Sequence, residues 1–107
     1  MTYFHQTKEI TINEILPGFS GRFIHTPELT IGHFQIKAGS VLPEHEHPHE
    51  QISNLISGSF EMTVAGETQV CAPGGVVTIP PNTLHSGSAL TDCYIIDVFR
   101  PAREDYK

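Results

Sequence analysis

GSVLPEHEHPHEQISNLISG, residues 39–58, is the stretch whose reading decides both the fold and the chemistry of this chain. Three of the seven histidines, His45, His47 and His49, alternate along it just after Pro43. In an extended backbone residues two apart share a face, so His45 and His47 present two imidazoles side by side. Gln51 follows four residues after His47, and His85 stands far downstream in IPPNTLHSGS. Neutral imidazoles suit divalent Zn, Ni, Cu or Fe, and an H-x-H pair on a rigid strand makes half of a metal site. The alternative is a polar loop that is simply rich in histidine. The regular spacing and the distant His85 favour the metal.

Outward from that stretch the chain reads as short strands separated by turns. Upstream, residues 9–16 alternate weakly and stop at Pro17-Gly18, and residues 19–26 form a second strand broken by Pro27-Glu28. Residues 29–38 set Leu29, Ile31 and His33 on one face and Gly32, Phe34 and Ile36 on the other. Apolar groups on both faces suit a strand covered from both sides. Downstream, residues 52–56 end at Ser57-Gly58, and residues 59–65 alternate with Phe60, Met62 and Val64 inward. A tight hairpin at Ala65-Gly66-Glu67 returns the chain along residues 68–71. Pro73-Gly74-Gly75 breaks it again before a short strand at 76–79, and Pro80-Pro81-Asn82 turns toward His85. The last strand, residues 92–100, is apolar apart from Asp97 and ends at Pro101. No segment has sustained helical periodicity. Eight or more short strands predict an all-β barrel or sandwich in which His45 and His85 must converge.

Composition agrees. The 107 residues read as one domain, 38% hydrophobic and 17% charged, with nine Gly and eight Pro, as expected of a turn-rich β protein. Net charge is −6 and no basic stripe is present, which argues against nucleic acid as partner. No apolar run approaches membrane-spanning length. The N-terminus lacks the pattern of a secretory signal, so a reducing cytoplasm is the expected compartment. Cys71 and Cys93 are numerous enough for one bridge but are expected as buried, unreactive thiols.

The two histidine segments resemble the motifs of the cupin superfamily, a small jelly-roll β-barrel that holds a metal inside. The first motif, G-x5-H-x-H-x(3,4)-E-x6-G, is matched by Gly39, His45, His47, Gln51 and Gly58. The second, G-x5-P-x-G-x2-H-x3-N, spans residues 74–89 and is matched by Gly74, Pro80 and His85. Asn82 stands for its glycine, and asparagine tolerates left-handed backbone. Ala89 stands for its final asparagine. Gln51 replaces the usual glutamate. Adjacent Glu50 is the competing donor, though in a strict strand it would face away from His45 and His47. Three histidines and a glutamine are all neutral, so the ion keeps its full charge and should favour an anionic ligand.

A narrower resemblance, in HEHPHEQ and DVFRPAREDYK, is to the KdgF family of pectin and alginate breakdown. That family opens the ring of 4,5-unsaturated uronate monosaccharides to a linear 5-keto-4-deoxyuronate. The resemblance implies one divalent transition ion (Zn, Ni, Fe or Mn) on His45, His47, Gln51 and His85, a small anionic sugar acid as substrate, and a homodimer. It carries the catalytic roles to Asp97, Phe99 and Arg103, with Arg100 a second arginine for the substrate carboxylate.

Taken singly, these residues also have plainer readings. Asp97 shares the face of Ile95 and Phe99, where burial would raise its pKa and fit it to deliver a proton; a structural carboxylate is the alternative. Arg103 can grip a carboxylate bidentately or form a surface pair with Glu104 or Asp105. Phe99 fits core as well as platform. His49 reads as a rim residue, His33 as solvated or cavity-lining, and His5 and His25 as surface. Rival functions in the same barrel are a metal-dependent dioxygenase or lyase on another small anion, and a non-catalytic sensor.

Overall fold

The computed structural model describes residues 2–107. Ten strands run β1 (Asn13–Leu16), β2 (Phe19–His25), β3 (Thr30–Ile36), β4 (Val41–His45), β5 (Glu50–Ser57), β6 (Phe60–Val64), β7 (Glu67–Cys71), β8 (Val76–Ile79), β9 (His85–Ala89) and β10 (Cys93–Arg100). They form two antiparallel sheets, ordered β1-β2-β3-β10-β5-β8 and β4-β9-β6-β7. From β3 onward the chain passes repeatedly from one sheet to the other, the jelly-roll path expected from the sequence.

The two-residue period decides which side chains fill the space between the sheets. In β3 the even residues Thr30, Phe34 and Ile36 are buried, and in β10 the odd ones, Cys93, Ile95 and Phe99. Phe19, Phe23, Leu55 and Ile79 complete the wall from the larger sheet, with Phe60, Met62 and Ala89 facing them. His33 therefore points outward, where its Nδ1 meets the Tyr94 hydroxyl at 2.6 Å; it does not line the interior. His25, expected at the surface, is half-buried with Nδ1 2.8 Å from Thr30 Oγ1. Cys93 is buried, Cys71 is only half-buried, and both thiols are free.

One strand boundary departs from expectation, and β4 and β9 lie in segments for which no strand bounds were expected. Residues Thr7–Glu9 form a 3-10 turn, so the first strand starts only at Asn13. β4 includes Pro43, which is accommodated because β4 is an edge strand and needs no outward N–H partner there. β9 contains Ser86-Gly87-Ser88, a segment given no strand in the sequence reading. Gly87 sits in that strand because the Phe60 ring occupies the place of its Cβ.

The turns behave as read. Ala65 and Gly66 form a two-residue hairpin loop with φ of 49° and 83°, positive at both positions. Asn82 adopts φ 56°, the left-handed conformation that the motif reserves for glycine. Gly58 has φ 92°, and a Cβ there would run into the Asp92 carbonyl and Cys93. Gly66 has similar φ but open space around it. Gly66→Ala should therefore cost roughly 1–2 kcal/mol, the backbone penalty alone. Gly58→Ala should cost clearly more, read as a lower urea midpoint than Gly66→Ala gives. Equal midpoints would remove the packing contribution at Gly58.

Candidate metal centre and acid cavity

One end of the space between the sheets is polar. His45 closes β4 and pairs directly with His85 at the start of β9. The 46–49 loop brings His47 across, and Asn82 N donates to His47 O at 2.8 Å, tying the two histidine-bearing loops together. Ring centroids lie 4.1 Å apart for His45–His85, 4.9 Å for His47–His85 and 5.6 Å for His45–His47. One nitrogen from each of the three lies within 4.8 Å of the others, a constellation able to hold a metal ion.

The tautomers follow from the hydrogen bonds. Nδ1 of His45, His47 and His85 lies 2.7, 3.0 and 2.9 Å from the carbonyls of Pro43, His49 and Thr83. A carbonyl only accepts, so each Nδ1 carries the proton and each Nε2 offers a lone pair. His85 is 1% exposed and its Nε2 has no partner. Burial holds His47 below the ordinary imidazole value and takes His85 down to about 4, which keeps both rings neutral.

Gln51 supplies the test of whether a metal fits. Its Nε2 donates to Ser53 Oγ at 3.0 Å and to Asp97 Oδ2 at 3.3 Å, which turns Oε1 toward His47. Oε1 and His47 Nε2 then stand 3.0 Å apart, two lone pairs face to face. Only a proton or a cation between them satisfies both, and burial opposes the imidazolium. Two donors each about 2.1 Å from one ion and near a right angle apart would be separated by about 3.0 Å. The donor set fits a divalent ion. Glu50, the competing donor, is exposed and opposite Arg100 in the β5–β10 register.

The acid stands directly behind the amide. Ser53 faces Asp97 and Gln51 faces Phe99 across the β5–β10 ladder, with all four side chains inward. Asp97 is partly covered as a residue, but its Oδ1 is out of reach of solvent and has no partner. Burial pushes its carboxyl up to about 7, against the pull of Ser53, Arg103 and Gln51. Phe99 is buried and also lines the cavity, its ring edge-on to His47 at 6.0 Å.

Arg103 is 7% exposed and lines the same cavity, whereas Arg100 is exposed and faces a shallow proline-rich surface outside it. Arg103 does pair with Asp105, but from a buried position: Nε and Nη2 donate to Asp105 Oδ1 and Oδ2 at 2.9 and 2.7 Å. The cavity joins these groups to Leu42, Met62 and Tyr106. His49 packs edge-on to His47 at 5.4 Å and does not line it. Ser53 and Tyr106 escaped the sequence reading. Ser53 was visible as the residue two beyond Gln51 on one strand face; Tyr106 sits in a charged tail with no periodicity.

A double-sheet jelly roll with three convergent imidazoles at one end defines the class, and the chain belongs to the cupin family, whose Cupin domain model matches residues 32–99. Within that class it is similar to the pectin degradation protein KdgF of Dickeya dadantii (strain 3937), 31% identical over 70 residues. That match covers 64% of this chain and 64% of the length of the relative. The solved structure of KdgF from Halomonas sp. superposes with a TM-score of 0.93 at 31% identity, covering 100% of both chains. An RmlC-like cupin from Shewanella frigidimarina NCIMB 400 gives 0.94 at 28% identity, over 100% of this chain and 97% of that one. Among the described residues no helix is long and apolar enough to cross a membrane.

If the three imidazoles share one ion, His45→Ala, His47→Ala and His85→Ala should each lose most bound divalent metal by elemental analysis of the purified protein. Stoichiometric metal in His85→Ala would separate the two motifs from one another.

Proposed function

We propose that this cupin opens the ring of 4,5-unsaturated uronate monosaccharides, giving the linear 5-keto-4-deoxyuronate. In this reading His45, His47, Gln51 and His85 hold one divalent ion, Asp97 is the proton donor, Phe99 is the platform and Arg103 receives the substrate carboxylate. The observation that carries it is the unpartnered Asp97 Oδ1, shielded from solvent in the same cavity as the histidine triad and a buried arginine. Likeness to the KdgF proteins supports the substrate class. A homodimer belongs to the same reading, and exposed Ile52, Ile56 and Val76 on the larger sheet offer it a surface.

The chemistry asks for a proton at C4 and water at C5 of an enol ether. Burial raises the pKa of the Asp97 carboxyl, which suits it to give that proton, and its conjugate base can take one back from the water. As the C5 carbonyl forms, the C5–ring-oxygen bond breaks and its electron pair leaves with the ring oxygen, which takes up the hydroxyl proton. Gln51 holds Asp97 Oδ2, while Oδ1 has no hydrogen-bond partner of its own. A bound divalent ion would supply Lewis-acid polarisation of a substrate oxygen or water. Arg103 keeps three N–H donors after its pairing with Asp105, enough to take a second carboxylate.

Purified, metal-loaded protein should remove the absorbance of unsaturated uronates, and Asp97→Asn should lower turnover by roughly 10²–10⁴ while keeping fold and metal. Unchanged absorbance with the wild type, or oxygen consumption instead, would move the protein to another cupin chemistry.

For Arg103 the expected signature is in KM. Arg103→Lys keeps the charge but loses the paired bonds, so KM should rise more than kcat falls. Arg103→Ala should lose roughly 2–5 kcal/mol of substrate binding, as befits a buried partner of a charge pair. An unaltered KM in both variants would take the carboxylate away from this arginine.

A further inference from the structure

The chain does not end at Arg103. Residues Glu104–Tyr106 turn back in a 3-10 turn, with Tyr106 N donating to Arg103 O at 3.1 Å, and this places the Tyr106 ring over the cavity. The ring packs on Phe23 at 4.7 Å and edge-on to Phe99 at 5.8 Å. The guanidinium of Arg103 sits in the corner of two rings that stand at 79° to one another, its Cζ 4.0 Å from the Tyr106 centroid and 4.7 Å from that of Phe99. Arg103 N donates to the fully buried Thr30 Oγ1 at 2.8 Å, which pins the start of the tail to β3. Asp105, more than half exposed and outside the cavity lining, takes two N–H groups of the guanidinium. Burial lifts the Tyr106 phenol above its ordinary value, so its hydroxyl remains a donor at neutral pH.

We propose that Tyr106 is a specificity-determining contact of this cavity: its hydroxyl and the free N–H groups of Arg103 together receive the carboxylate of a small sugar acid. Asp105 is a positioning residue. It fixes the rotation of the guanidinium so that the remaining donors face inward. The inference rests on the uronate reading of the site and names the group that makes it selective for an acid over its ester. A phenol that merely sealed the core would be replaceable by phenylalanine at no cost in binding.

The test uses full-length, metal-loaded protein and two measurements. Calorimetry with saturated D-galacturonate, which lacks the reactive double bond, reads binding alone. Steady-state kinetics on the unsaturated uronate read KM and kcat. Tyr106→Phe keeps every ring contact and removes one donor to a charged group, so galacturonate should bind roughly tenfold more weakly. The methyl ester of galacturonate should bind both proteins alike, and KM should rise with kcat held within about twofold. Asp105→Asn should raise KM in the same way, and Asp105→Glu should recover part of it. Acid and ester binding unchanged in Tyr106→Phe would overturn the contact. Turnover of the unsaturated uronate with identical kinetics in Tyr106→Phe would overturn the contact alone and leave the reaction standing. Tyr106-dependent galacturonate binding without any turnover would uphold the contact and remove the reaction.

Discussion

Each of the three convergent imidazoles gives its Nδ1 proton to a backbone carbonyl, and the chemistry of the cavity depends on that arrangement. The acceptors are the carbonyls of Pro43, His49 and Thr83, all within two residues of the histidine they serve. The orientation of each ring is thus written into its own loop, and the bond from Asn82 to His47 O locks the loops against each other. Backbone acceptors add no charge. A carboxylate in the same role would strengthen the ligand but also neutralise part of the ion. Here the donors and their supports are all neutral, so a bound divalent ion keeps its charge for an incoming anion.

Gln51 joins this centre to the acid, and its amide explains why glutamate would be wrong here. One end of the amide faces His47 Nε2; the other donates to Ser53 and Asp97. A glutamate in the same pose would set a carboxylate oxygen about where Nε2 now stands, 3.3 Å from Asp97 Oδ2. Two carboxylates that close cannot both ionise, so one would sequester the proton between them. The amide instead offers donors to Oδ2 and leaves Oδ1 free. A departure from the family motif at one position is therefore matched by an aspartate at the diagonal position on the adjoining strand, two residues from Phe99, where Gln51 opposes Phe99 and Ser53 opposes Asp97.

The histidine triad was legible because metal chemistry constrains spacing, and the turns were legible because left-handed backbone constrains residue type. Asn82 met that constraint without being glycine. What escaped was set by tertiary context. β9 went unassigned, since nothing local reveals that the Phe60 ring takes the space beside Gly87. β4 tolerates Pro43 only because it lies at a sheet edge, a fact of topology. Alternation showed that His33 and Phe34 face opposite ways but could not say which face was interior; β10 and the opposite sheet decide that. His25 looked superficial because its partner, Thr30, lies across the β2–β3 turn and holds the C-terminal tail as well.

That tail also resolves a conflict of charges. The chain carries a net −6, yet the proposed ligand of its cavity is an anion. Surface charges are screened within about 8 Å at physiological salt, so the bulk of the acidic residues have little reach into the interior. A buried guanidinium is costly without a partner. Asp105 offsets that cost from the solvent side, where its own carboxylate stays hydrated, and its bond to Arg103 holds its pKa below the ordinary value. The pair is thereby neutral toward the protein as a whole but directional toward the cavity: one edge of the guanidinium is occupied, and the remaining N–H groups are the ones left for a ligand. On the proposed reading, selection for an acid is a matter of where those donors point, and total charge has little part in it.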